Sequence, residues 1–148
     1  MAKLSLSLSL PRDERTVPIA RHIATGAMEQ LGVQDECVTD IEVALTEACT
    51  NVIRHSGPTD EYEVTLALDT TQCIIRVVDR GHGLDSAALA DESDPSAEGG
   101  RGVELMRELM DRLLFESKPE EGTIVHLEKV LDFDESSVVH RLGARPRG

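Results

Sequence analysis

Aromatic residues are almost missing from this chain: Phe115, Phe133 and Tyr62 stand alone, and there is no Trp. The core must therefore be built from Leu, Ile, Val, Ala and Met, and no aromatic platform exists on which single-stranded bases could stack. Basic residues are the second scarcity. They number 15 against 28 acidic ones, and the resulting formal charge of −13 repels phosphate backbones and opposes direct nucleic-acid binding. A partner with a basic face suits such a surface, and any nucleotide has to be gripped locally by backbone amides, a metal ion and a few placed cations.

Cysteine is scarce as well. Cys37, Cys49 and Cys73 are odd in number, widely spaced and without a Cys-x-x-Cys pair, which speaks against a disulfide framework or a zinc site and for reduced core residues. No stretch approaches the roughly 18 apolar residues of a membrane span, and the start alternates Leu with Ser instead of forming a secretory apolar block. The expectation is a cytoplasmic protein that does not enter a membrane. With 148 residues the chain suits one compact domain.

Leu4, Leu6, Leu8 and Leu10 alternate with Ser5, Ser7 and Ser9, the period of two that sends leucines to one face of a strand, toward covering helices. Val17, Ala20, Ile23, Ala24, Ala27 and Leu31 recur at helical spacing, with Pro18 delaying the start and Gly32 closing the helix. Asp35 is read as the cap of a second helix with Val38, Ile41, Leu45, Ala48 and Val52 on its buried stripe, stopped by Gly57-Pro58. Two strands joined at Thr70-Thr71 follow, then an acidic loop from Asp79 to Glu98. A glycine loop at Gly99 to Gly102 leads into a third helix carrying Val103, Leu105, Met106, Leu109 and Met110. Two more strands, around Leu113 to Ser117 and Thr123 to Leu131, are split by a turn at Pro119 to Gly122. This order has too few alternating crossovers for a doubly wound sheet and predicts a two-layer α+β sandwich over residues 1–131. Residues 132–148 lack a sustained period and are expected to form a flexible C-terminal tail.

The chemistry concentrates in three places. Glu47 and Asn51 are four apart, so on a helix they lie about 40° from each other around the axis and project toward one opening. An Asn carbonyl is a hard ligand for Mg²⁺, which takes the rest of its shell from water and phosphates, and Glu47 beside it can act as a base toward a hydroxyl or water. Alone, E-x-x-x-N is most often a solvated stripe. Asp79 ends an apolar strand, where a carboxylate can accept from the exocyclic amine of adenine and reject the carbonyl of guanine. Gly81 and Gly83 after it leave room for a base against the backbone, although D-x-G-x-G alone is an ordinary strand-to-loop turn. Gly99, Gly100 and Gly102 stand before a helix whose amides can receive phosphate oxygens, with Arg101 as an added cation or as a surface partner of Glu98 or Glu104. Arg54 and His55 either line the phosphate side or simply suit a helix end.

With Glu47-Ala-Cys-Thr-Asn51-Val-Ile-Arg54-His55, Asp79-Arg-Gly81-His-Gly83-Leu84 and Gly99-Gly-Arg-Gly102-Val103 in this order, the chain resembles the GHKL ATPases. It is most similar to their small bacterial branch, the anti-sigma factor serine kinases, over roughly Leu4 to Leu131, and Arg107-Glu-Leu-Met-Asp111 also resembles that branch. The resemblance implies a mixed, mostly antiparallel sheet covered by about three helices. ATP and Mg²⁺ would lie between the layers under a lid at residues 84–102. By motif, Glu47 resembles the catalytic base, Asn51 the magnesium ligand, Asp79 the adenine contact, and Gly81, Gly83, Gly100 and Gly102 the nucleotide loops. Val103 stands where the branch more often has a larger aliphatic residue.

The same resemblance implies a homodimer that holds a sigma factor inactive and phosphorylates a serine of a STAS-type anti-sigma antagonist. The alternative is a non-catalytic, nucleotide-gated module that sequesters a transcription regulator. A histidine-kinase or gyrase-like reading is disfavoured, because the chain shows neither a phospho-accepting helix hairpin nor a following transducer domain.

Overall fold

Alternation of Leu and Ser builds the first edge of the molecule. In a computed structural model that describes residues 3–54, 60–79, 100–118 and 122–134, strand β1 runs Leu4–Pro11. It pairs antiparallel with β2 (Glu61–Leu68), Leu6 opposite Leu66 and Leu10 opposite Tyr62. β2 pairs with β3 (Gln72–Asp79), β3 with β5 (Gly122–Val130), and β5 with β4 (Arg112–Lys118), so the five-stranded order is β1-β2-β3-β5-β4 and every pair is antiparallel. The β2–β3 turn is held by Asp69, whose carboxylate accepts from the Thr71 and Gln72 amides at 2.7 and 3.0 Å and from the Thr71 hydroxyl at 2.9 Å.

One face of this sheet is apolar because the strand period is two. Tyr62, Val64, Leu66, Leu68, Cys73, Ile75, Val77, Val125 and Leu127 are buried there. Leu4, Leu6 and Leu8 belong to the same face but stay half-buried, since β1 is an edge strand. Their serine neighbours are exposed.

Three helices cover that face. A 3₁₀ turn at Glu14–Thr16, capped by Asp13, leads into α1 (Val17–Gln30), where Pro18 sits in the first turn and costs no internal hydrogen bond. Gly32 ends the segment with φ of 86°, a conformation glycine adopts without strain. α2 (Asp35–Arg54) begins one residue earlier than capping by Asp35 requires. Gln34 supplies the carbonyl that receives the Val38 amide at 3.0 Å, and Asp35 instead places its charge in the first turn, where the helix dipole favours it. α3 (Gly100–Leu109) packs on α2, as α1 does from the other side, and α2 itself lies on β3 and β5. Phe133 follows the last strand and bridges to Val33, and the Asp134 amide donates to the Gly32 carbonyl at 2.7 Å. The turns expected at Gly57-Pro58 and Pro119, the acidic loop and the remainder of the tail fall outside the described residues.

Candidate functional site

The buried stripe of α2 rests on the sheet through Cys37, Val38, Ile41, Ala44, Leu45, Ala48, Cys49 and Val52. Glu47 and Asn51 ride beside that stripe. Asn51 is only 3% exposed, and its Nδ2 has no hydrogen-bond partner among the described residues. A buried amide group left unpaired costs about 1 to 3 kcal/mol, so its presence beside an opening is a feature to be explained.

The opening is a cleft of about 210 Å³ lined by Glu47, Asn51, Arg54, Arg101, Gly102 and Leu105. α2 and α3 therefore bring together residues about fifty positions apart in sequence. Val103, Met106 and Met110 are buried and fix the rotation of α3, which turns Arg101, Gly102 and Leu105 toward the cleft. Val103 itself is buried beside the cleft and does not line it. Gly102 lies so close to α2 that a Cβ placed on it would stand 2.5 Å from Glu47 Oε1 and 3.9 Å from Asn51 Nδ2. Gly100, Arg101 and Gly102 read from sequence as a loop before the helix, but they form its first turn instead. The helix start, with its free amides and positive dipole end, is accordingly made of the glycine segment itself.

Asp79 closes β3 and is fully buried on the inner face of the sheet. Its register partner on β2 is Tyr62. The Tyr62 hydroxyl shares a 2.8 Å hydrogen bond with Thr16 Oγ1, which ties the segment before α1 to this end of the sheet. Burial pushes the Tyr62 hydroxyl and the Cys49 thiol up to about 12, and both remain neutral scaffold groups. Cys37, Cys49 and Cys73 are buried free thiols, in keeping with their spacing.

Two residues near Asp79 carry no motif of their own and emerge only from the fold. Gly122 has φ of 110°, and a Cβ there would stand 3.2 Å from the Asp79 carbonyl oxygen and 3.6 Å from its Cγ. Any side chain would be strained and would crowd the carboxylate. Thr123 is fully buried and follows Gly122 on the inner face, one register step beyond the pair Val78–Ile124 and so beside Asp79. The signal for it is a threonine amid an apolar strand, directly after a turn glycine, which the fold buries beside a carboxylate.

Arg54 ends α2, is exposed and reaches the cleft. His55, Gly81, Gly83 and Gly99 lie outside the described residues. Among the described residues no group of three His, Cys, Asp or Glu could hold a metal, so a divalent ion here would need Asn51, water and ligand phosphates. The hard oxygen of the Asn51 amide suits such an ion, and its unpaired Nδ2, a donor, suits a phosphate oxygen beside it.

The sequence model of the histidine kinase-like ATPase domain matches residues 10–129. The serine-protein kinase RsbW of Halalkalibacterium halodurans is 29% identical over 143 residues, covering 88% of this chain and 86% of the relative. The anti-sigma F factor of Pasteuria penetrans is 34% identical over 121 residues, covering 76% and 81%. Among solved structures, that of the RsbU and RsbW domains of Rv1364c from Mycobacterium tuberculosis is similar with a TM-score of 0.61 at 17% identity, over 86% of this chain and 32% of that one. The chain thus spans about a third of that solved protein, and at this identity the likeness speaks for the fold alone.

Proposed function

The chain belongs to the histidine kinase-like ATPase family, alongside RsbW serine-protein kinases and anti-sigma F factors, and from that premise we propose that it is an ATP-dependent protein-serine kinase acting as an anti-sigma switch. The observation that carries this reading is the convergence of Glu47, Asn51, Arg101 and Gly102 in one cleft between α2 and α3. A carboxylate, a hard amide ligand, a cation and a helix start are the parts that phosphoryl transfer from a nucleotide needs, and transfer of this kind is mostly positioning and charge stabilisation.

In this mechanism Asp79 accepts from the exocyclic amine of adenine, with Gly122 leaving the room and Thr123 as a second polar neighbour. The first-turn amides of α3, with Arg101 and Arg54, receive phosphate oxygens against the global field of the acidic chain. Asn51, through its amide oxygen, would hold magnesium, which when bound neutralises charge on the β- and γ-phosphates. Glu47 takes the proton from the acceptor hydroxyl as that oxygen attacks phosphorus, and ADP leaves.

The acceptor in this reading is a serine of a STAS-type antagonist, and the held partner is a sigma factor. Homodimerisation and a cytoplasmic location belong to the same reading. The uncharged stretch Leu4 to Leu10 on edge strand β1 supports the first, since an unblunted edge offers a surface for a second copy. Among the described residues no helix is long and apolar enough to cross a membrane.

Incubation with labelled ATP, Mg²⁺ and the antagonist is expected to place label on a serine of the antagonist. Glu47→Ala should slow that transfer by about 10²- to 10⁴-fold with nucleotide still bound. If the wild-type chain binds ATP and partner but transfers no label, the kinase half is rejected in favour of non-catalytic, nucleotide-gated sequestration.

A further inference from the structure

Glycine inside the first turns of a helix needs a reason, because alanine is the better helix former wherever φ is negative and space is open. Two helical glycines allow a direct comparison. A Cβ added to Gly26 in α1 would meet nothing within 4 Å, whereas one added to Gly102 in α3 would meet Glu47 Oε1 at 2.5 Å. The positive-φ glycines among the described residues are Gly32 and Gly122, so Gly102 is not there for a left-handed backbone. Room for Glu47 is what the missing side chain provides.

Glu47 has three rotatable bonds, and among the described residues no hydrogen bond or ion pair fixes its carboxylate. Packing has to orient it instead. The wall on one side is the α3 backbone at Gly102, whose place is set by Val103, Met106 and Met110 in the core. We infer that Gly102 is a positioning residue for Glu47: the bare backbone of α3 defines where the carboxylate stands relative to Asn51, and a single methyl group there displaces the base without displacing the helix. The atom such a methyl would meet is the free end of a flexible side chain, so the carboxylate yields and the fold does not. This rests on the kinase reading for the role of Glu47, but the steric contact is separate from it and leaves the Gly102 amide, which alanine would keep, available to phosphate.

The test uses Gly102→Ala, Gly26→Ala, Glu47→Asp and the Gly102→Ala/Glu47→Asp double variant in the full chain, with MgATP and a STAS-domain antagonist that the wild type phosphorylates. Gly26→Ala should raise the Tm and leave transfer unchanged. Gly102→Ala should not lower the Tm, should keep the dissociation constant for MgATP, and should slow single-turnover transfer by about ten- to a hundredfold, the penalty for misplacing a reacting group by roughly 1 Å. Glu47→Asp, one methylene shorter, should slow transfer in the wild-type background and speed it in the Gly102→Ala background. That reversal of sign marks a steric contact between the two residues.

A fall in Tm for Gly102→Ala would show the helix moving in place of the carboxylate and would overturn the inference. A loss of MgATP affinity equal to the loss in rate would overturn it too, by showing that the methyl group obstructs the nucleotide and not the carboxylate. So would a Gly102→Ala rate equal to wild type, or no gain from Glu47→Asp in that background. Should the wild-type chain bind MgATP and transfer nothing, the kinase reading fails first, and the Tm and affinity arms still decide whether α3 tolerates the methyl group.

Discussion

The two ends of α2 are made of one continuous helix and behave as different materials. Toward its start, Cys37, Val38, Ile41, Ala44 and Leu45 bury nothing but carbon and sulfur, and the polar groups nearby are partnered. Lys129 Nζ reaches the Leu109 carbonyl at 2.7 Å and Asp40 at 3.3 Å, and Asp111 accepts the Val130 amide at 2.6 Å. A cation on the last carbonyl of α3 also suits the negative end of that helix. Toward its finish the same helix carries Asn51, buried with an unpaired Nδ2, and faces a strand end where Asp79 and Thr123 are buried polar groups. One end is finished for stability, and at the other the Asn51 amide nitrogen has no partner among the described residues. In the proposed function that nitrogen is kept for a ligand, at a cost to folding.

The largest effect that would break or sharpen this contrast lies at the closed end. Ile41→Ala removes a fully buried side chain from the middle of the helix-on-sheet core and should cost about 2 to 5 kcal/mol of stability in denaturant unfolding. MgATP affinity of the folded fraction should be unchanged. A large loss of affinity without loss of stability would mean that the two ends are not separable.

Next in size is Asp79→Asn at the open end. The substitution keeps volume and removes the charged acceptor, so ATP affinity measured by calorimetry with Mg²⁺ should fall by about 1.5 to 3 kcal/mol, the range for hydrogen bonds to charged groups. Stability should change far less than for Ile41→Ala. Equal affinity for the variant and wild type would contradict the adenine assignment.

The same contrast separates what is legible in the amino-acid sequence from what is not. The closed end is legible residue by residue, because a period of two in β1 and β2 and a stripe of three and four in α2 follow directly from burial on one face. Glu47 and Asn51 are legible for the same reason, being one turn apart on a helix whose stripe is plain. What stays hidden is whatever depends on two elements meeting. The contact of Gly102 with Glu47 requires α3 to lie on α2 at one rotation, and no local pattern encodes it. Gly122 and Thr123 acquire their role only when β5 is laid beside β3 with Val78 opposite Ile124. The start of α3 at Gly100 is hidden because glycines read locally as loop, while Val103, Met106 and Met110 anchor the helix strongly enough to carry two of them into its first turn.

The smallest expected effect is the one that separates the two ends most sharply, because its sign is opposite. Replacing a buried polar group that lacks a partner by an apolar side chain removes a desolvation cost, whereas replacing an apolar one by a smaller residue opens a cavity. Asn51→Leu should therefore leave denaturant stability intact or raise it by about 1 to 3 kcal/mol, in contrast to the loss expected for Ile41→Ala. MgATP binding should be lost, since Leu supplies no oxygen for a metal and no donor for a phosphate. Unfolding by denaturant and calorimetry on the same sample read both quantities. If Asn51→Leu destabilises the chain as much as a core truncation does, the Asn51 amide is part of the fabric of the fold, and the open end of α2 is not a site kept in waiting.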